Sequence, residues 1–267
     1  MLQVVLTANT TALNTHDKMG LFKGLFGKKE DKVAPADLSS VQVDIHSHFI
    51  PGIDDGSQTL EQTIELLTAM KELGYRKVIT TPHSMADGYK NSPEIILGGL
   101  EKVRAEIKRV GLEMEIDAAA EYYLDHELEN SVAAKRILTF GNELVLFELP
   151  FIGEPAVLLR VVFQMQTMGY RPVLAHPERY SFWYDDFKKL DALKERGVLF
   201  QLNMIALSGA YGPQAKQMAE RLVDAGYYEL VGSDCHQMGH IEAIRHTLTR
   251  PYLHKLLDSG KLLNATL

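Results

Sequence analysis

From Val41 onward, short β-rich runs alternate with amphipathic helical stretches. VQVDIHSH alternates apolar and polar positions as a strand does, so His46 and His48 share a face. It precedes SQTLEQTIELLTAMKELG, for which Ser57 is the expected N-cap and Gly74 the expected C-terminal stop. RKVITTPH then leads into the helical SPEIILGGLEKVRAEIKRVG, and EIDAAAEYY and ELVLFELP read as strands with a short irregular or helical piece between them. GEPAVLLRVVFQMQTMGY leads to RPVLAHPER, DDFKKLDALKERG to VLFQLNM, and PQAKQMAERLVDAGYY to ELVGSDCH, after which MGHIEAIRHTL opens the closing helices. About seven strands, mostly separated by helices, predict an α/β protein with a parallel sheet and right-handed crossovers, open or closed into a barrel. No Gly-x-Gly-x-x-Gly or Walker-type loop follows any strand, which counts against a nucleotide-binding open sheet.

Residues 1–40 carry scattered Thr, Asn, Lys and Asp without sustained periodicity and are expected to form a flexible N-terminal tail before a single domain over 41–267. Within that tail, LFKGLFGKK interleaves aromatic and basic residues as a surface anchor does, but its length and two glycines favour a solvated segment.

Composition narrows the class. The 267 residues are 46% hydrophobic, enough for a substantial core. A net charge of -7 argues against a nucleic-acid surface. The single Cys235 excludes an intrachain disulfide and fits a reducing compartment. No apolar run reaches the roughly 20 residues of a membrane span, and MLQVVLTA lacks the basic start of a secretory signal. The expectation is a cytoplasmic protein with no nucleic-acid partner and no stable membrane insertion.

The chemistry appears when each strand is followed to its C-terminal end. There stand His46 and His48 with Asp54 and Asp55, then His83, Glu121, Glu148, His176 with Arg179, and Asp234 with His236. Only the sixth strand, ending at Asn203, lacks a strong metal ligand. Most of these residues alone have an ordinary structural explanation as a cap, a turn residue or a surface ion, but Glu148 in the apolar LVLFELP is harder to explain that way, since an unpaired carboxylate there is costly. In a parallel barrel, however, these ends meet at one mouth. Desolvating so many titratable groups together without a cation is too costly, and a cluster of divalent metals resolves the conflict. His16, His126, His240, His246 and His254 fall off the strand ends and are read as structural or solvated.

DIHSHFIPGIDDGS, TTPH, AAAEYYLD, FELP, AHPERY and GSDCH, in that order, closely resemble the polymerase-and-histidinol-phosphatase (PHP) superfamily. Within it they are most similar to the bacterial metal-dependent protein-tyrosine phosphatases of capsule and exopolysaccharide synthesis. The resemblance covers about Val41 to the C-terminus and implies a distorted (β/α)7 TIM-like barrel of the PHP type holding three Mn²⁺ ions, with Fe or Zn as alternatives. By matching motif positions, one metal would be held by His46, His48, Glu121 and Asp234. Glu121 would bridge to a second, shared with Glu148 and His176. A third would take His83, His236 and Asp55, the last preferred over Asp54 because it directly precedes the glycine. Arg179 would bind phosphate, and the candidate catalytic residues are Arg179, His46 and Asp234. Related enzymes often carry a further arginine after the last histidine motif, where this chain reads QMGHIEAIR, so that His240 and Arg245 are the candidates to replace it.

The expected reaction is hydrolysis of phosphotyrosine in proteins by a metal-activated hydroxide, since a bound metal lowers the pKa of water from 15.7 to about 7. Cys235 is not followed by an arginine-ended phosphate loop, and strand alternation turns it away from Asp234 and His236. The resemblance implies a phosphotyrosine protein as partner, such as a bacterial tyrosine kinase. The competing readings are a small-molecule phosphatase of the histidinol phosphate type, a related amidohydrolase, and a non-catalytic metal-binding scaffold.

Overall fold

The computed structural model describes residues 33–267. The tail expectation for 1–32, with LFKGLFGKK, lies outside the described residues. The rest of the expected tail belongs to the domain. Ala36 and Leu38 are buried, and the Val33 and Ala36 amides donate to the Thr249 and Leu248 carbonyls at 3.3 and 2.8 Å. Asp37 caps the single 3-10 turn Leu38–Ser40 by accepting from the Ser39 amide. Two apolar side chains are too few to reveal an element by periodicity, so the boundary lies earlier than the predicted residue 41.

Among the described residues the strands are β1 Val43–Asp44, β2 Lys77–Thr80, β3 His83–Ser84, β4 Glu115–Ala118, β5 Glu121–Tyr123, β6 Leu144–Glu148, β7 Arg171–Ala175, β8 Leu199–Asn203 and β9 Tyr228–Gly232. They are connected by α1 Leu60–Glu72, α2 Pro93–Val110, α3 His126–Ala133, α4 Leu158–Thr167, α5 Phe187–Glu195 and α6 Pro213–Ala225, and followed by α7 Met238–Thr247 and α8 Pro251–Leu257. All pairings between strands are parallel, in the orders β1-β2-β4 and β3-β5-β6-β7-β8-β9. The strands thus form two parallel sheets of an α/β fold, with no closed sheet found among the described residues.

Two predicted strands are each broken in the middle. RKVITTPH divides into β2 and β3 at Thr81 and Pro82, where the proline has no N–H to give the ladder. EIDAAAEYY divides into β4 and β5 at Ala119 and Ala120, alongside that break. The backbone nevertheless continues in register, with the Ala119 amide donating to Thr80 O at 2.9 Å and the Glu121 amide to Pro82 O at 3.1 Å. At the other margin, the chain after β1 meets the chain after β9. Asp234 N donates to His46 O at 2.7 Å, His48 N to Cys235 O at 3.0 Å, and the Ser233 amide to the Asp44 carboxylate at 2.8 Å. Asn264, buried near the C-terminus, donates to both Val43 O and Val231 O.

One apolar cluster lies between sheets and helices, with Leu67, Val103, Val161, Leu190 and Leu222 among the helical contributions. A second joins Val43, Ile45, Ile79, Leu146, Val173, Ala175 and Leu230, drawn from both sheets, with Phe140 and Leu267 packed beside them. Alternation along each strand explains the division. The predicted Ser57 cap for α1 is replaced by Thr59, whose hydroxyl accepts from Gln62 N. Ser57 instead donates its amide to His48 O and pairs its hydroxyl with Thr63, because the preceding turn is folded against His48. The predicted helix over SPEIILGGLEKVRAEIKRVG is α2, with Ser92 as N-cap, Pro93 in the first turn and left-handed Gly111 closing it.

Candidate metal centre

All nine predicted donors are brought together, His83 and Glu121 at the starts of β3 and β5 and the others at or just beyond the C-terminal ends of β1, β6, β7 and β9. His46 Nε2 lies 3.1 Å from Glu121 Oε2 and 3.5 Å from Asp234 Oδ1, and His48 Nε2 lies 3.5 Å from each of the same two oxygens. His83 Nδ1 is 3.2 Å from both Glu121 Oε2 and Glu148 Oε1. His176 Nε2 is 3.0 Å from Glu121 Oε1 and 4.0 Å from Glu148 Oε2. Asp55 Oδ1 stands 3.4 Å from His236 Nε2 and 3.6 Å from His83 Nε2. Three overlapping groups arranged to hold a metal result: His46, His48, Glu121 and Asp234; His83, Glu121 and Glu148; and His48, Asp55, His83 and His236.

Backbone placement is unusual at two of these positions. His176 at φ 35 and Asp234 at φ 50 adopt left-handed conformations without being glycine. Such geometry costs about 1–3 kcal/mol and persists where surrounding structure demands it. Glycines bring other donors into range. A Cβ on Gly56 would lie 2.1 Å from His48 O, and one on Gly232 would lie 2.6 Å from His46 Cβ. The turn IDDG and the end of β9 therefore press directly on the two histidines.

Three of the five donor imidazoles are oriented through Nδ1, two of them by partners outside the cluster. His46 Nδ1 donates to Gln201 Oε1 at 2.8 Å, His48 Nδ1 to Asp54 Oδ2 at 2.8 Å, and His236 Nδ1 to Asp234 O at 2.9 Å. Each bond holds a proton on Nδ1, so that Nε2 faces inward and, once deprotonated, would offer its lone pair to a metal. Asp54 and Asp55 thereby divide their work: Asp54 orients His48, while Asp55 faces His83 and His236. The sixth predicted strand, β8, supplies no carboxylate or imidazole, but Gln201 holds His46 and Asn203 donates to Asp234 Oδ2 at 2.7 Å. Both roles escaped the search for ligand types, although a buried glutamine amid VLFQLNM is itself a signal of a polar partner.

The donor set fits divalent cations. Ligand atoms around an ion at about 2.0–2.2 Å stand roughly 3–3.6 Å apart, and most of the imidazole–carboxylate pairs given above lie 3.0–3.6 Å apart. His46 Nε2, His48 Nε2, His83 Nδ1 and Glu121 Oε2 are buried and have no aligned hydrogen-bond partner, although carboxylates lie within ion-pair reach. Leaving such groups unsatisfied is costly. Burial pushes the His46 imidazole down, yet Glu121 and Asp234 lift it to about 10, and His83 reaches about 10 by the same contest between burial and Glu121 with Glu148. Glu121 and Asp234 resist burial and stay well below the usual carboxylate range because of the facing imidazoles. The pocket demands positive charge.

Above the donors opens a cavity of about 530 Å³, whose wall includes Tyr89, Tyr123, Phe151, Arg179, Tyr211 and His240. Arg179 Nη1 donates to Asp234 Oδ2 at 3.0 Å, and its guanidinium lies 4.2 Å from the Tyr211 ring centre and 4.8 Å from that of Phe151. Of the two candidates for a second phosphate clamp, Arg245 is engaged on the surface with Glu242 and Glu72. His240 lines the cavity, and its Nδ1 lies 3.2 Å from the His236 amide and 3.0 Å from Asp234 O.

Fold and site together define a parallel α/β protein that concentrates imidazoles and carboxylates at its strand ends into overlapping groups suited to divalent ions. The chain belongs to the family described as capsular polysaccharide synthesis, CpsB/CapC, whose profile matches residues 42–256. It is 30% identical over 197 residues to the tyrosine-protein phosphatase YwqE of Bacillus subtilis, covering 73% of this chain and 78% of that protein. Identity with the tyrosine-protein phosphatase CpsB of Streptococcus pneumoniae is 26% over 202 residues, covering 73% and 83%. A solved structure described as one of the metal-dependent tyrosine phosphatases YwqE of B. subtilis and CpsB of S. pneumoniae superposes with a TM-score of 0.73 and 28% identity, covering 84% of this chain and 94% of that one.

Proposed function

We propose that this protein is a metal-dependent phosphatase that hydrolyses phosphotyrosine in proteins during capsule or exopolysaccharide synthesis. Its partner is a bacterial tyrosine kinase and its compartment the cytoplasm; among the described residues no helix is long and apolar enough to cross a membrane. The two sheets are read as one distorted (β/α)7 barrel, with β2/β3 and β4/β5 each counting as a single interrupted strand. The observation that carries the functional reading is the convergence of three donor groups sharing Glu121, His48 and His83 beneath a cavity that also holds Arg179.

We assign three Mn²⁺ ions to His46, His48, Glu121 and Asp234; to Glu121, Glu148 and His176; and to Asp55, His83 and His236. His83 Nδ1 also reaches the second group. Bound divalent cations supply a nucleophile from water at neutral pH and neutralise the phosphoryl oxygens. The chain's own part is positioning. Arg179, steadied by Asp234 and its two aromatic neighbours, offers planar N–H donors to a phosphoryl oxygen. A phenol leaving group, with a pKa near 10, requires less acid assistance than an alkanol. Cys235 takes no part: it is fully buried, and burial holds its thiol well above the usual range.

The test compares a phosphotyrosine peptide with histidinol phosphate, before and after chelation and on return of Mn²⁺. Turnover of the peptide is expected, collapsing on chelation and recovering with manganese. Loss of turnover on thiol alkylation, with none on chelation, overturns the mechanism; preference for histidinol phosphate overturns the substrate.

A further inference from the structure

The aromatic part of the cavity wall has a use beyond enclosing the donors. Phe151 follows β6 and is 44% exposed despite carrying no polar atom, and the next residue, Ile152, is 100% exposed. Phe151, unlike Ile152, lines the cavity above the donors, so its ring is open to a ligand that enters there. Phe151 also lies beside the phosphate-directed end of the site, 4.8 Å from the Arg179 guanidinium and 5.9 Å, nearly parallel, from the His176 ring. Phe151 also packs against Tyr180 at 5.5 Å, and two other rings of the wall are held by neighbours. Tyr211 lies under Arg179 and its hydroxyl accepts from Asn203, while Tyr89 is stacked on His83 at 5.6 Å.

Resting on the phosphatase reading above, we propose that Phe151 is a specificity-determining residue, packing against the ring of an aryl phosphomonoester whose phosphoryl group is held at Arg179. An aromatic ring one oxygen from the phosphorus comes within reach of Phe151. An alkyl ester presents too little surface there to gain from the contact. Offset or edge-to-face packing of two rings adds to simple area burial, and this gain separates aryl from alkyl esters. The contact is formed on binding and retained through the reaction, so it acts on affinity more than on turnover.

Non-hydrolysable probes isolate that term from leaving-group reactivity. Benzylphosphonate and ethylphosphonate each place a CH₂ where the ester oxygen would be. Their binding to the manganese-loaded full chain is measured by calorimetry for the native protein, Phe151→Leu and Phe151→Tyr. The native chain should prefer benzylphosphonate, Phe151→Leu should lose roughly tenfold of that preference, and Phe151→Tyr should keep it. Equal weakening of both probes in Phe151→Leu would mean that Phe151 only steadies Arg179, and would overturn the proposal, as would an unchanged preference. Turnover of the phosphotyrosine peptide by the native chain is assayed in parallel. If that turnover is present while the preference ignores Phe151, only the specificity role falls; if it is absent and neither phosphonate binds, the phosphatase reading falls with it.

Discussion

His46 Nδ1 meets Gln201 Oε1 at 2.8 Å, a side-chain bond between residues 155 positions apart. The Gln201 amide is itself anchored by donating from Nε2 to Leu202 O at 2.5 Å, so the acceptor is held in place. Orienting partners of this kind are commonly worth 10–100-fold in metal affinity. Gln201→Leu should therefore weaken divalent-metal binding by roughly that factor in a chelator competition, with helical content unchanged. Unaltered affinity would show that the bond is dispensable.

Gly56 faces a different constraint. Because an added Cβ would stand 2.1 Å from His48 O and 2.4 Å from His48 Cβ, Gly56→Ala must push the IDDG turn away from the histidine. The expected cost is about 1–3 kcal/mol in denaturant unfolding, together with weaker metal retention. A variant as stable and as well loaded as the native chain would contradict the close packing.

Asp44 gives a pH dependence of known sign. Burial raises its carboxyl to about 7 against the opposing Ser233 hydrogen bonds. Its contribution to stability is thus fully present below the unfolded value of 3.8 and is lost as pH rises through about 7. Asp44→Asn, which keeps the shape and an acceptor for Ser233, removes that loss. In chelator, the stability difference between variant and native chain should move in the variant's favour by a few kcal/mol from about pH 4 to pH 7. A difference independent of pH would disprove the assignment. Glu178, also raised to about 7 by burial, is present in both proteins and cancels.

Arg179→Lys retains charge but loses the planar fork and the stacking on Tyr211 and Phe151. KM for a phosphate ester and the inhibition constant of inorganic phosphate should both rise about tenfold or more, with manganese content preserved. Equal kinetics would remove Arg179 from phosphate binding.

Much of the fold and of the candidate site could be read from the chain because ligand-type residues recur at successive strand ends, and that order survives errors in strand length. The alternation of strands and helices and the ligand-type residues at strand ends follow from short-range pattern, while the preference for Asp55 and the grouping of the donors rest on the family resemblance. What escaped detection depends on distant partners. VQVDIHSH is only a two-residue strand because the backbone from His46 to His48 is already bonded to Asp234 and Cys235. The roles of Gln201, Asn203 and Asp54 exist only relative to the donors they hold. The packing of Ala36 and Leu38 is decided by surfaces far along the chain rather than by local propensity.

The adjacency of the first and last strands has a consequence for biogenesis. His46 and Asp234 belong to one donor group, and Asp44 is tied to Ser233 across 189 positions. On the ribosome, the early histidines emerge long before their carboxylate partner, and contacts of such high order form late. The donor group of His46, His48, Glu121 and Asp234 is therefore incomplete until the chain just beyond β9 has been synthesised.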